Sequence, residues 1–197
     1  MNAIKNLSAG WTREEMAQLV ARDIPDGAYV NLGYCHFMLG DYDRAVESIR
    51  VAVRLREAFS TYWVELGDAC VWSPKFQSQA REAYEKAIET ASAELALNPR
   101  NARAHASQAI AFARTGNLEA ARRSIQSAMK LDPENPEHFF RAARIANLSG
   151  NPVESITWLQ RAIAAGSSRV DLERHPEFAQ LRQTEAVRSL LSVRSQG

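Results

Sequence analysis

Cysteine is almost missing from this chain of 197 residues: Cys35 and Cys70 are the whole complement. Two thiols are too few for a disulfide scaffold and suit a reducing compartment. Glycine (9) and proline (7) are also scarce, which excludes collagen-like and low-complexity classes. No sign of charge prevails, since 24 Lys+Arg face 23 Asp+Glu for a net +1, so neither nucleic acid nor an anionic membrane is the expected partner. No apolar run approaches the ~18–20 residues that cross a bilayer. The opening stretch, residues 1–11, has no apolar core of signal-peptide length, so a cytoplasmic location is expected. Lysine is rare too: Lys5, Lys75, Lys86 and Lys130 stand against 20 arginines.

The chemistry-bearing patterns are missing as well. There is no Gly-rich phosphate loop, no Gly-x-Ser-x-Gly elbow and no paired catalytic carboxylates. His36, His105, His138 and His175 are far apart in sequence, with no i, i+4 pair to hold a metal. The expectation is a chain with no cofactor, no metal and no catalytic residues. Cys35 and Cys70 read as two buried free thiols at similar depths of adjacent helices.

What is present is alanine, 32 residues of it, in a composition 46% apolar and 24% charged. Alanine fills helices and lets backbones approach, so an all-α protein follows. Three glycines share one setting, in Leu39-Gly40-Asp41, Thr115-Gly116-Asn117 and Ser149-Gly150-Asn151, each between two helical apolar patterns. A left-handed residue there ends one helix and lets the next begin. Gly116 and Gly150 are 34 residues apart, while Gly40 and Gly116 are 76 apart, two such periods plus eight. The second helix of each unit carries a small residue, a large one four later and alanine three after that: Ala45, Ile49, Ala52; Ala80, Tyr84, Ala87; Ala121, Ile125, Ala128; Ser155, Leu159, Ala162. One extra residue therefore falls in the turn Trp72-Ser73-Pro74-Lys75-Phe76. The other seven form a stretch Glu89–Leu95, two helical turns that keep the buried face in register.

These residues resemble the tetratricopeptide repeat (TPR) family, a helix-turn-helix unit with a period of about 34 residues. The resemblance is carried by Tyr29-Val30-Asn31-Leu32-Gly33 with Gly40-Asp41-Tyr42, by Trp63-Val64-Glu65-Leu66-Gly67, and by the stops at Pro99 and Pro133. More narrowly, Trp63–Pro99 and the tail Glu173-Arg174-His175-Pro176-Glu177-Phe178 through Leu190-Leu191 look like the C-terminal TPR region of bacterial Ser/Thr kinases, adenylate cyclases and winged-helix regulators. A bacterial, Arg- and Ala-rich chain fits that likeness. The resemblance implies a right-handed TPR superhelix and a non-catalytic protein-protein interaction module or scaffold. The expected organisation is an N-terminal extension (1–25), four units (26–59, 60–101, 102–135 and 136–165, together 26–165) and C-terminal capping helices with a tail (166–197). Thr184 is a candidate N-cap within that last segment.

Residues 11–33 also resemble the opening of the nucleophile-bearing chain of bacterial 3-oxoacid CoA-transferases, which implies a helix leading into a strand and then a Gly-x-Gly-x-Pro loop. Here Gly33 is followed by Tyr34-Cys35-His36-Phe37, and the one Glu-Asn pair, Glu134-Asn135, precedes Pro136. The catalytic motifs of that family are therefore missing. A gene fusion or a chimera would explain the junction, and a detached regulatory tail of a signalling enzyme is a further alternative. Tyr34 through Ala52 continue the helical pattern, so Tyr29–Gly33 reads as helix. Upstream, Thr12-x-x-Glu15 makes a capping box and Met16, Leu19 and Val20 an apolar face, giving an expected helix over 12–22.

The first helix of each unit in such an array lines a concave groove. Anchoring on Gly33, Gly67, Ala109 and Ala143 and stepping one, four and five residues marks its inner face. That assigns Tyr34, Phe37 and Met38; Asp68, Val71 and Trp72; Ile110, Ala113 and Arg114; Arg144, Asn147 and Leu148. Residues 1–98 hold 10 basic and 14 acidic groups and residues 99–197 hold 14 and 9. The expected partner is a protein or peptide with an apolar anchor and an acidic end. The competing expectation is that the chain covers this face itself, through the helix at 12–22 or a neighbouring domain. Paired Lys and Asn of a chaperone-tail clamp are not found at Val30 and Tyr34.

Overall fold

The computed structural model describes residues 25–192. The helix expected over 12–22 lies outside them. Every regular element among the described residues is helical, with no strand. Eight helices form four consecutive pairs: α1 (Asp26–Met38) with α2 (Tyr42–Leu55), α3 (Ser60–Trp72) with α4 (Ala80–Leu97), α5 (Ala102–Arg114) with α6 (Leu118–Leu131), and α7 (Pro136–Leu148) with α8 (Pro152–Ala164). Two short helices follow, α9 (Arg169–Arg174) and α10 (Glu185–Ser192), with single 3-10 turns at Pro176–Phe178 and Leu181–Gln183 between them. The fold class is all-α. Tyr29–Gly33, the strand of the CoA-transferase likeness, lies inside α1.

The turns within pairs show why the sequence folds locally this way. Gly40, Gly116 and Gly150 have φ of 79°, 92° and 74°, a left-handed conformation that side-chain-bearing residues rarely adopt. The residue after each glycine caps the following helix. Asp41 accepts from the Arg44 amide, Asn117 from Ala120 and Asn151 from Glu154, each three residues on. The α3–α4 turn does without glycine. Ser73, fully buried, accepts from the Phe76 amide at 3.2 Å and its hydroxyl bonds Asp43, while Phe76 turns inward. The extra residue expected at 72–76 sits in this serine-closed turn.

The described residues separate into two compact units that divide inside α4, between Thr90 and Ala91. In the first unit, α1 lies on α2 where Gly33 meets Ile49, and α3 meets α4 where Gly67 faces the Tyr84 ring. Ala45, Ala52 and Ala87 are fully buried, with Val46, Ile49, Val64 and Tyr84 around them. In the second unit Ala121, Ala128 and Ala162 play the same part. Close-packed helices need small residues at the crossing, and a larger side chain there would push the axes apart. The first residues of α4 in this unit are held to α5 by side chains: Gln108 donates to Ser92 at 3.1 Å and Asn101 to Glu94 at 3.2 Å. Ala80, Tyr84, Ala87 and Ala91, all buried, lie on one stripe of α4, so its two added turns continue the same face.

The second unit ends in a cap. Leu172, Phe178, Leu181 and Val187 pack on Phe139, Phe140, Ala143, Leu159 and Ala162 in one buried cluster. Thr184 caps α10, its hydroxyl accepting from the Val187 amide at 3.4 Å. A repeat helix pair shows an apolar stripe that only a neighbour can cover, and this segment covers the last one.

Candidate functional site

The faces of α1 and α3 carry the first unit's share of the expected groove. Tyr34 is 40% exposed, and Met38, Val71 and Trp72 are half-buried. Phe37 is buried and meets Tyr42 edge-on, ring centroids 5.3 Å apart; Tyr42 in turn lies 6.3 Å from Trp72. The Trp72 indole N–H is buried with no hydrogen-bond acceptor. Asp68 does not reach solvent: it accepts a 2.7 Å hydrogen bond from the Tyr84 hydroxyl and is 4% exposed. This face is therefore aromatic and apolar, with Phe37 and Asp68 supporting it from behind.

In the second unit Ile110 is fully buried, Ala113 nearly so, and Asn147 and Leu148 are half-buried. Arg114 on α5 and Arg144 on α7 converge on one carboxylate, that of Glu177. Arg144 makes a two-point contact, Nε to Oε2 at 2.7 Å and Nη2 to Oε1 at 3.3 Å. Such paired contacts are among the strongest an arginine forms. Asn147 donates its side-chain amide to the main-chain carbonyl of Glu177 at 2.9 Å. The next residue, Phe178, is fully buried and edge-on to Phe140, with centroids 5.4 Å apart. So the basic end of the expected face is covered by the chain's own C-terminal segment, and the cover comes from 175–178.

Glu177, Phe178, Tyr42 and Phe140 lie outside the spacing rule that marks the face. Tyr42 belongs to a second helix, Phe140 sits three residues before its anchor, and the other two lie beyond the repeats. The signal that could have found Glu177 is a proline, an acid and an aromatic in succession, opposite in charge to the arginines of α5 and α7.

A recess of about 220 Å³ in the first unit is bordered by Arg50, Arg54, Trp63, Leu66, Cys70 and Glu82. Both cysteines are free, but only Cys70 is buried; Cys35 is exposed, contrary to the expectation of two buried thiols. Burial pushes the Cys70 thiol up to about 11, against a smaller opposing effect of Arg50. A thiol so raised stays protonated at neutral pH and makes a poor nucleophile. Among the described residues no group of His, Cys, Asp and Glu is placed to hold a metal ion, and no helix is long and apolar enough to cross a membrane.

Helix pairs, three of them joined by left-handed glycine turns, crossing at small residues and closed by a terminal cap, define a helical-repeat protein of the interaction-module class. The chain belongs to the tetratricopeptide-repeat family, whose model matches residues 13–70, 78–136 and 107–170. The first of these matches takes in most of the 11–33 segment. Among solved structures, the chain is similar to TTC0263, a thermophilic TPR protein of Thermus thermophilus, at 19% identity and a TM-score of 0.53, covering 85% of this chain and 88% of that one. It is also similar to MamA of Desulfovibrio magneticus (18% identity, TM-score 0.42, 78% and 92% covered). A third similar structure is YrrB, described as a TPR protein with an unusual peptide-binding site (16%, 0.40, 80% and 96%). No curated protein matches. Repeat proteins of this family are in general non-catalytic scaffolds that bind proteins or peptides.

Proposed function

We propose that this chain is a non-catalytic interaction module that holds a peptide segment of a protein partner against the faces of its first helices. The observation that carries the reading is the meeting of Arg114, Arg144 and Asn147, from two successive first helices, on a single short peptide segment, residues 175–178. These side chains grip both a carboxylate and a backbone carbonyl, the features by which a peptide is recognised. The first unit offers Tyr34, Met38, Val71 and Trp72, with Trp72 the anchor contact, because large aromatics in partly buried settings dominate such surfaces. The first-unit face suits an apolar anchor of a partner, and the α5/α7 face, taken by itself, suits an acidic group. Free cysteines suit a cytoplasmic site of action.

The test is selection of peptides from a displayed random library by the full chain, followed by titration against Trp72→Ala and Tyr34→Ala. We expect Trp72→Ala to weaken the selected peptides about tenfold or more, with the helical circular dichroism unchanged. Affinity unchanged in both variants removes the first-unit face from the reading.

A further inference from the structure

Glu177 is held in the way a ligand is held. Its side chain is 3% exposed and lies between the guanidinium groups of Arg114 and Arg144. Asn147 addresses the main-chain carbonyl of the same residue, and Phe178 fills a space walled by Phe140 and His175. Each contact answers to a feature of any peptide that makes a 3-10 turn with a glutamate followed by an aromatic residue. None of them depends on the covalent link back to α9.

A cap needs only apolar surface, which Leu172, Phe178, Leu181 and Val187 supply without the charge at Glu177. Burying a carboxylate and two cations adds little to stability over well-packed apolar groups, and its best-attested use is specificity. The covering segment is also joined to the repeats by side chains more than by backbone. The amides of Phe178, Ala179, Gln183 and Thr184 all donate to carbonyls three residues back within the segment. Lifting 175–184 away therefore breaks no ladder of backbone bonds between these amides and another element, and an incoming peptide of the same sequence replaces the burial of Phe178 and Leu181 that it removes.

We propose that Arg114, Arg144 and Asn147 form a peptide-recognition site that Glu177–Phe178 fills in cis, and that the partner segment it takes is a short peptide that makes the same 3-10 turn, with a glutamate followed by an aromatic. The inference rests on the reading that the first-helix faces bind peptides, and names the occupant for one of them. In the closed state the internal segment competes at the high effective concentration of a tethered ligand, so an outside peptide enters only by displacing it. The site is thus read by sequence and guarded by a copy of that sequence.

The probe is a fluorescent peptide of residues 175–181, titrated by anisotropy into the full chain. Glu177→Gln keeps the size of the internal residue but removes its charge, which loosens the guard without emptying the space. This variant should bind the probe about tenfold or more tighter than the wild type. Adding Arg144→Gln should abolish the gain, and a probe with glutamine in place of its glutamate should show none. Equal binding by wild type and E177Q, or equal binding of the two probes, overturns the proposal. If E177Q loses its cooperative melt, hydrogen exchange on the wild type decides: excess probe must speed exchange of the amides at 177–184, and unchanged exchange overturns it. The peptide-display experiment interrogates the first unit with unrelated sequences, so either test can fail while the other stands.

Discussion

Gly67 carries no side chain because Tyr84 already occupies the place where one would go. A Cβ added there would lie 2.6 Å from Cε1 of the tyrosine, well inside contact distance. The ring cannot swing away cheaply, since it is 2% exposed and its hydroxyl donates to Asp68 at 2.7 Å. Gly67→Ala should therefore destabilise the first unit by about 1–3 kcal/mol, the usual cost of overpacking a core, in spite of alanine's better helix propensity. A urea titration followed by tryptophan fluorescence measures it, and a variant as stable as wild type would show that Tyr84 repacks freely. The same bond explains why Asp68, a groove residue by spacing, is buried: helical spacing sets a direction, but not what stands in that direction.

At the scale of the element, α7 is unusual in how much polarity it buries. His138, Arg141 and Arg144 are each under 6% exposed. Arg141 is balanced by Glu137 at 2.8 Å and Arg144 by Glu177. Neither ring nitrogen of His138 has a hydrogen-bond partner, and Asp132 stands 3.9 Å from Nε2. Burial lowers its pKa, and the nearby Arg141 adds to this against smaller opposing effects of Asp132 and Glu137. A base whose folded pKa lies below its unfolded one binds protons preferentially when unfolded. The folded state is thus unpenalised above the unfolded value of 6.5 and loses stability as pH falls below it, down to the lowered folded value. Urea midpoints at about pH 7.5 and about pH 5.5 should show this loss in the wild type and a smaller one in His138→Gln. An equal loss in both would place the pH sensitivity elsewhere.

For the molecule as a whole, the last helix pair would be left uncovered without residues 169–192. The cap buries Leu172, Phe178, Leu181 and Val187, all 5% exposed or less, and each such side chain is worth ~1.5–3 kcal/mol. Removing the cap should therefore take away about 6–12 kcal/mol of burial from the second unit. We expect the truncated chain to bind a hydrophobic dye and to lose part of its cooperative melt. A truncated chain that melts like the full one would show that the cluster around Phe140 and Leu159 is stable when uncovered.

The repeats themselves are legible because they are local. Glycine before Asp or Asn marks a left-handed turn and a cap within four residues. Alanine at Ala45, Ala52, Ala121 and Ala128 marks a packing face within two helical turns, and the two-turn insertion in α4 follows from counting along the same face. Each of these is a property of neighbours along one chain, where the 3.6-residue period turns sequence into direction. The side chain that meets Arg144 is not such a property, because Glu177 arrives from 33 residues away through α8, α9 and a turn. Helix pairs, their turns and the faces they offer can thus be read along the chain. Occupation of the basic face cannot, because it depends on where a distant segment comes to rest and which charge it brings.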